Sequence, residues 1–131
     1  MADELKKIVR EELEFAKKRL EAAEILLNNN MIEDSINRIY YSLLHAAKSM
    51  LNVLGYDAKT YVGIISEFGL RIIKEKLIEK KFGRVLRKAF EMRESSDYKI
   101  SVVFEREEVE ELLKEAKDFL KMAEKFVKLR L

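Results

Sequence analysis

The chain has 131 residues, 48% of them hydrophobic and 38% charged, with no proline, no cysteine, one histidine and a net charge of +2. That composition fits a helix-rich globular domain, and the lack of cysteine excludes a disulfide framework, a thiolate metal site and a cysteine nucleophile. With a single histidine and no Glu-x-x-His pair, no metal and no cofactor is expected. No apolar run approaches the roughly 20 residues of a membrane span, so one domain over 1–131 in the cytoplasm is the expectation.

The first helix is expected from Asp3, a plausible N-cap, to Leu27. Leu5, Ile8, Val9, Ala16, Leu20, Ala23 and Leu27 recur at three- and four-residue steps as one inward stripe. The Asn28–Asn30 run ends it, and Asn30 with Glu33 has capping-box spacing for a second helix that stops at Gly55. So short a link predicts an antiparallel hairpin.

Thr60 is placed to cap a third helix carrying Ile64, Ile65, Phe68, Ile72 and Ile73, broken into two pieces by Gly63 and Gly69. A fourth helix is expected over about 81–95, with Phe82, Val85, Leu86, Ala89 and Phe90 inward. The stretch 98–104, rich in Ile, Val and Phe, reads as extended chain pinned by its apolar residues. A fifth helix over about 105–129 carries Val109, Leu112, Leu113, Ala116, Leu120, Ala123 and Val127 on its inner stripe. Together these elements predict an all-α, antiparallel up-and-down bundle of four to five helices.

Charge is uneven along the chain. Arg71 to Arg93 holds nine Lys/Arg and three Glu, whereas Glu94 to Asp118 holds nine acids and four bases. The basic block reads either as a surface for phosphates or as a solvated helix face.

Two groups of polar residues fall in unexpected places. On the second helix Arg38, Tyr41, Ser42, His45 and Ser49 share one side, beside an apolar face of Ile36, Ile39, Leu43, Ala47 and Met50. They read either as core-edge residues with satisfied polar tips or as a groove or dimer face. On the fourth helix Arg93 follows the buried stripe of Leu86, Ala89 and Phe90. An inward guanidinium needs a carboxylate, and Asp97, four residues on and followed by Tyr98, is the nearest candidate by spacing. This Arg–Asp pair reads as a structural clamp or as a variant catalytic site.

The strings "RIYYSLLHAAKSML", "FGRVLRKAFEMRESSDY" and "AKDFLKMAEKFV" resemble the HEPN domain, in particular its small stand-alone prokaryotic subfamily. The resemblance implies a helical bundle that forms a homodimer. It also implies a minimal nucleotidyltransferase partner in a toxin–antitoxin pair, with RNA or a nucleotide as ligand. Many members are metal-independent endoribonucleases whose motif is Arg, four to six residues, then His. Here Arg93 is followed after four residues by Tyr98, and the position near 61 is Tyr61 rather than His. Arg38 and His45 satisfy the spacing, but seven helical residues separate them by about 10.5 Å along the axis, and side chains lean toward the N-terminus. The candidate catalytic residues are therefore His45, Arg38 and Arg93, and the candidate binding residues are Tyr41, Ser42, Asp97 and Tyr98. A binding module is the leading expectation, with a ribonuclease and a purely structural bundle as alternatives.

Overall fold

A computed structural model describes residues 2–98 and 102–131. Its elements are α1 (Asp3–Asn28), α2 (Ile32–Val53), α3 (Tyr61–Phe68), a π turn (Gly69–Ile73), α4 (Lys80–Tyr98) and α5 (Arg106–Lys128). Among the described residues there is no strand, and the architecture is the expected all-α bundle.

α2 is the central element and packs against α1, α5, α4 and α3. Its contacts with α1 run in opposite chain order. Ser35 Oγ donates to the Ala23 carbonyl at 2.8 Å, and Ser42 Oγ donates to the Ala16 carbonyl at 2.7 Å. The two helices therefore form the antiparallel hairpin. Small residues spaced by seven on both helices keep the backbones close, and the hydroxyls use carbonyl lone pairs left over from the helical ladder. α5 runs antiparallel to α1. Lys117 Nζ reaches Glu24 Oε1 at 2.8 Å, and Arg106 at its start donates to the Leu27 carbonyl at 2.7 Å, a second donor on an oxygen that also accepts from Asn30 N–H.

The apolar stripes read from the sequence form the core. Every inner position named for the fifth helix is buried, together with Phe119 and Phe126. Phe119 joins the layers, with its ring centroid 5.6 Å from Phe68 and 5.9 Å from Phe82. Ile8 is the exception on α1. It is 40% exposed and lies at the edge of the stripe, where it lines a hollow with Lys48 and Asn52 of α2.

The helix ends correct several local expectations. Ala2, not Asp3, occupies the α1 N-cap position, and Asp3 sits in the first turn, where the helix dipole favours an acid. Asn30 does not cap α2. It adopts φ 60° and ends α1, with Met31 N–H bonded to the Leu26 carbonyl and Asn30 N–H to the Leu27 carbonyl. α2 ends the same way at Gly55, whose φ of 92° suits glycine. Thr60 does cap α3, accepting from Gly63 N–H at 2.9 Å. The expected break in the third helix is a change of winding into the π turn. Of the 98–104 stretch, Tyr98 closes α4 and Phe104 packs on the core, while Lys99, Ile100 and Ser101 lie outside the described residues.

Candidate functional site

The polar side of α2 divides in two. Tyr41 faces α4, whereas His45 faces α1. Ser42 and Ser49 face neither ligand nor solvent. Both are buried, Ser42 on the Ala16 carbonyl and Ser49 on the Ala46 carbonyl at 2.6 Å. Ser42 thus belongs to the helix seam rather than to the ridge on which the sequence placed it. Arg38 is exposed.

Arg93 projects from α4 with its side chain 18% exposed, as the inward reading of the sequence required. Its Nε lies 2.9 Å from Asp97 Oδ2. The N–H does not point at that oxygen, so the contact is an ion pair without a well-aligned hydrogen bond. Nη1 reaches Glu94 Oε1 at 3.3 Å and Nη2 reaches Tyr41 Oη at 3.4 Å. The guanidinium carbon stands 5.3 Å from the Tyr40 ring centroid and 5.8 Å from that of Tyr41. Burial opposes its charge, but the surrounding Tyr41 and Asp97 outweigh burial and push the Arg93 pKa further up. Burial pushes the Tyr40 hydroxyl up to about 12, so it stays protonated. Tyr61 joins the cluster edge-on to Tyr41, with centroids 5.4 Å apart, and Tyr98 lies exposed at the α4 end.

The second site is a charged cluster across the hairpin. His45 Nδ1 lies 2.6 Å from Glu12 Oε2, and Lys48 Nζ lies 3.6 Å from Glu12 Oε1. In the tautomer that donates from Nδ1 to this carboxylate, Nε2 keeps its lone pair. Phe15 packs against the imidazole at 4.7 Å, and Arg19 covers Phe15 at 4.3 Å. Burial raises the Glu12 pKa, but the His45 hydrogen bond and the His45 and Lys48 charges more than offset it, and the carboxyl is held below its usual value. Glu12 was not singled out from the sequence. The hairpin register would have found it: Ser35 meets Ala23 and Ser42 meets Ala16, so position 45 falls near position 13 or 12.

The third feature is a groove between α3 and α4. One hollow of about 320 Å³ is walled by Phe68, Gly69, Ile73, Lys80, Arg84 and Arg87. A second, of about 370 Å³, shares Ile65, Gly69 and Arg87 with it and extends to Phe90. Lys80, Arg84 and Arg87 follow helical spacing on one face. Neighbouring cations of the same block are paired, Arg71 with Glu67, Lys81 with Glu79 and Lys88 with Glu115. Lys80, Arg84 and Arg87 pair with no carboxylate among the described residues. The first turn of α4 also lacks an acid, so the positive end of the helix dipole adds to these cations.

Among the described residues no cluster of three metal-ligating side chains occurs, and no helix is long and apolar enough to cross a membrane.

Residues 9–126 match the HEPN domain family. A Methanocaldococcus jannaschii protein named a putative toxin is 35% identical over 128 residues, covering 95% of each chain. The UPF0332 protein of Thermotoga maritima is 30% identical over 125 residues, again covering 95% of each. A second Methanocaldococcus jannaschii protein with the name putative toxin is 29% identical over 124 residues, covering 95% of this chain and 82% of that protein.

Proposed function

The chain belongs to the HEPN domain family, and from that premise we propose that it is the toxin-type member of a two-protein pair, acting in the cytoplasm as a single-domain homodimeric binding module. Its ligand is RNA or a nucleotide, and its protein partner is a minimal nucleotidyltransferase. The names of the relatives support the toxin-type reading.

The observation that carries the ligand class is the α3–α4 groove. Lys80, Arg84 and Arg87 stand over an apolar floor of Phe68, Ile73 and Leu86. Phosphates meet the cations, and base faces meet the floor. The groove continues to Phe90, which packs near Tyr40 in the Arg93 cluster. Arg93, Tyr41, Asp97 and Tyr98 form the far end of this binding surface.

The test is binding of labelled single-stranded RNA at increasing salt. Three phosphate contacts give a slope of about −2 in log K against log salt concentration. The Lys80→Ala/Arg84→Ala/Arg87→Ala variant should lose most of that slope. RNA binding that is indifferent to salt, or no RNA binding, overturns the ligand class. Failure to capture a co-encoded nucleotidyltransferase overturns the partner.

The Glu12–His45 contact favours a second reading, a metal-independent endoribonuclease. With Nδ1 held by Glu12, Nε2 is available as the general base for a 2′-hydroxyl. Arg93, or Arg38 in a dimer, then holds the phosphate. RNA cleavage in the presence of chelator, lost in His45→Ala and in Arg93→Ala, is the expected outcome of this reading. Equal cleavage by both variants and parent rejects it.

A further inference from the structure

The outward side of α1 is an organised surface. Ile8 is 40% exposed and Phe15 43% exposed, and with Ala22 they keep a seven-residue spacing. That spacing places the three on one side of the helix, with the charged Glu11 and Lys18 between them. Phe15 sits at the middle, beside a shallow hollow of about 310 Å³ lined also by Glu11, Glu14, Lys18 and Arg19. The charges are ordered along the axis. Acids at 11, 12 and 14 precede Phe15, and bases at 17, 18 and 19 follow it.

A helix face reading acid, aromatic, base is complementary to itself when a second copy runs antiparallel about a two-fold axis at Phe15. In that register Phe15 meets its own counterpart, Ile8 meets Ala22, Glu11 meets Lys18 along one edge of the seam, and Glu12 meets Arg19 along the other. Each pair is apolar on apolar or acid on base. A parallel pairing would set Glu11 on Glu11 and Lys18 on Lys18. An antiparallel slip of four residues in one direction sets Phe15 on Glu11 and Ile8 on Lys18. The opposite slip sets Phe15 on Arg19 and leaves Glu12 on Ala22. The self-complementary register is the one in which opposite charges and apolar groups all find partners.

We infer that this face of α1 is the isologous interface between two copies of the chain, centred on Phe15. The inference rests on the homodimeric state proposed above and supplies its surface. It has a consequence for the hairpin site, because the partner's Arg19 approaches Glu12, the carboxylate that holds His45. Each Glu12–His45 pair then borders the shared face and is completed by a cation from the other copy.

The chain has no cysteine, so cross-linking reads this register directly. In the Ile8→Cys/Ala22→Cys variant, the thiol introduced at position 8 would face the one introduced at position 22 of the other copy, and mild oxidation should give a disulfide-linked dimer. The single variants should not cross-link. For Ile8→Cys, the two copies of position 8 lie about 21 Å apart along the axis, beyond disulfide reach, and the same separation holds for Ala22→Cys. Glu11→Lys and Lys18→Glu should each weaken the dimer at least tenfold in sedimentation, and the Glu11→Lys/Lys18→Glu double should restore it.

If the parent sediments as a dimer while the double-cysteine variant stays unlinked and the charge variants dimerise normally, the interface lies elsewhere and the dimeric state stands. If the parent is a monomer at all concentrations, the interface and the dimeric state both fall.

Discussion

Glu12 bridges two side chains of α2 across the α1–α2 seam, with Oε2 2.6 Å from His45 Nδ1 and Oε1 3.6 Å from Lys48 Nζ. Its folded pKa lies below the ordinary value of 4.5. The unfolded chain therefore binds the proton more readily. The contribution of Glu12 to stability is complete above pH 4.5 and disappears as pH falls through the folded pKa. Glu12→Gln should cost about 1–3 kcal/mol at pH 7. Urea unfolding of parent and variant should show that difference shrinking below about pH 4.5. A difference that stays constant from pH 7 to pH 3 rejects the ion-paired description.

Ser42 is buried and bonded to the Ala16 carbonyl. Ser42→Ala should cost about 1 kcal/mol, the worth of one hydrogen bond. Ser42→Leu should cost about 3 kcal/mol by forcing the helices apart. RNA affinity of the folded Ser42→Ala protein should be unchanged. A tenfold loss there would return Ser42 to the binding surface.

Gly69 and Gly83 should respond to alanine with opposite signs. A Cβ on Gly69 meets nothing within 4 Å, and its φ of −61° is helical, so Gly69→Ala should stabilise by about 0.5–1 kcal/mol. A Cβ on Gly83 would stand 3.1 Å from Ile73 Cγ1 and 3.3 Å from its Cδ1. That contact should cancel the gain in helix propensity, and Gly83→Ala should lower stability by about 1 kcal/mol. Thermal melts of the two variants check the contrast.

Arg93 is held by Asp97, Glu94 and two tyrosine rings. A lysine keeps the charge but loses the planar fork, so Arg93→Lys should cost about 1–2 kcal/mol. Arg93→Ala should cost somewhat more, about 2 kcal/mol, because it also removes the guanidinium from the Tyr40 and Tyr41 rings, while Glu94 and Asp97 stay hydrated. Chemical denaturation of both variants ranks them. Equal stability of parent and Arg93→Ala would show that the cluster contributes nothing to folding.

The fold was legible because its signal is periodic. The α5 stripe and the apolar face of α2 follow from residue spacing alone, and so does the inward turn of Arg93 toward Asp97. The helix termini were less legible. Asn30 carries both cap-forming and left-handed tendencies, and the contacts of Met31 with α1 decided between them. Ser42 and His45 lie only three residues apart, and a helical wheel places them side by side. Their different environments depend on α1, so no reading confined to α2 could separate a hydroxyl inside the seam from an imidazole at its rim. Glu12 was hidden for the same reason, as one glutamate among the many on α1 until the hairpin register is known.

The π turn joins Lys74 N–H to the Gly69 carbonyl and so holds one residue more than an α turn. Excising one residue there would restore ordinary winding and leave the two flanks facing as they do now, because five residues at π pitch turn through about the same angle as four at α pitch. Ile72 and Ile73 lie on one flank, against the core and Gly83, and Tyr61 on the other, against Tyr41. An in-frame loss of a single codon at this place would therefore spare both the bundle and its aromatic cluster, whereas the same loss within Tyr61–Phe68 would turn one against the other by about 100°, making the π turn the one tolerant joint of the segment.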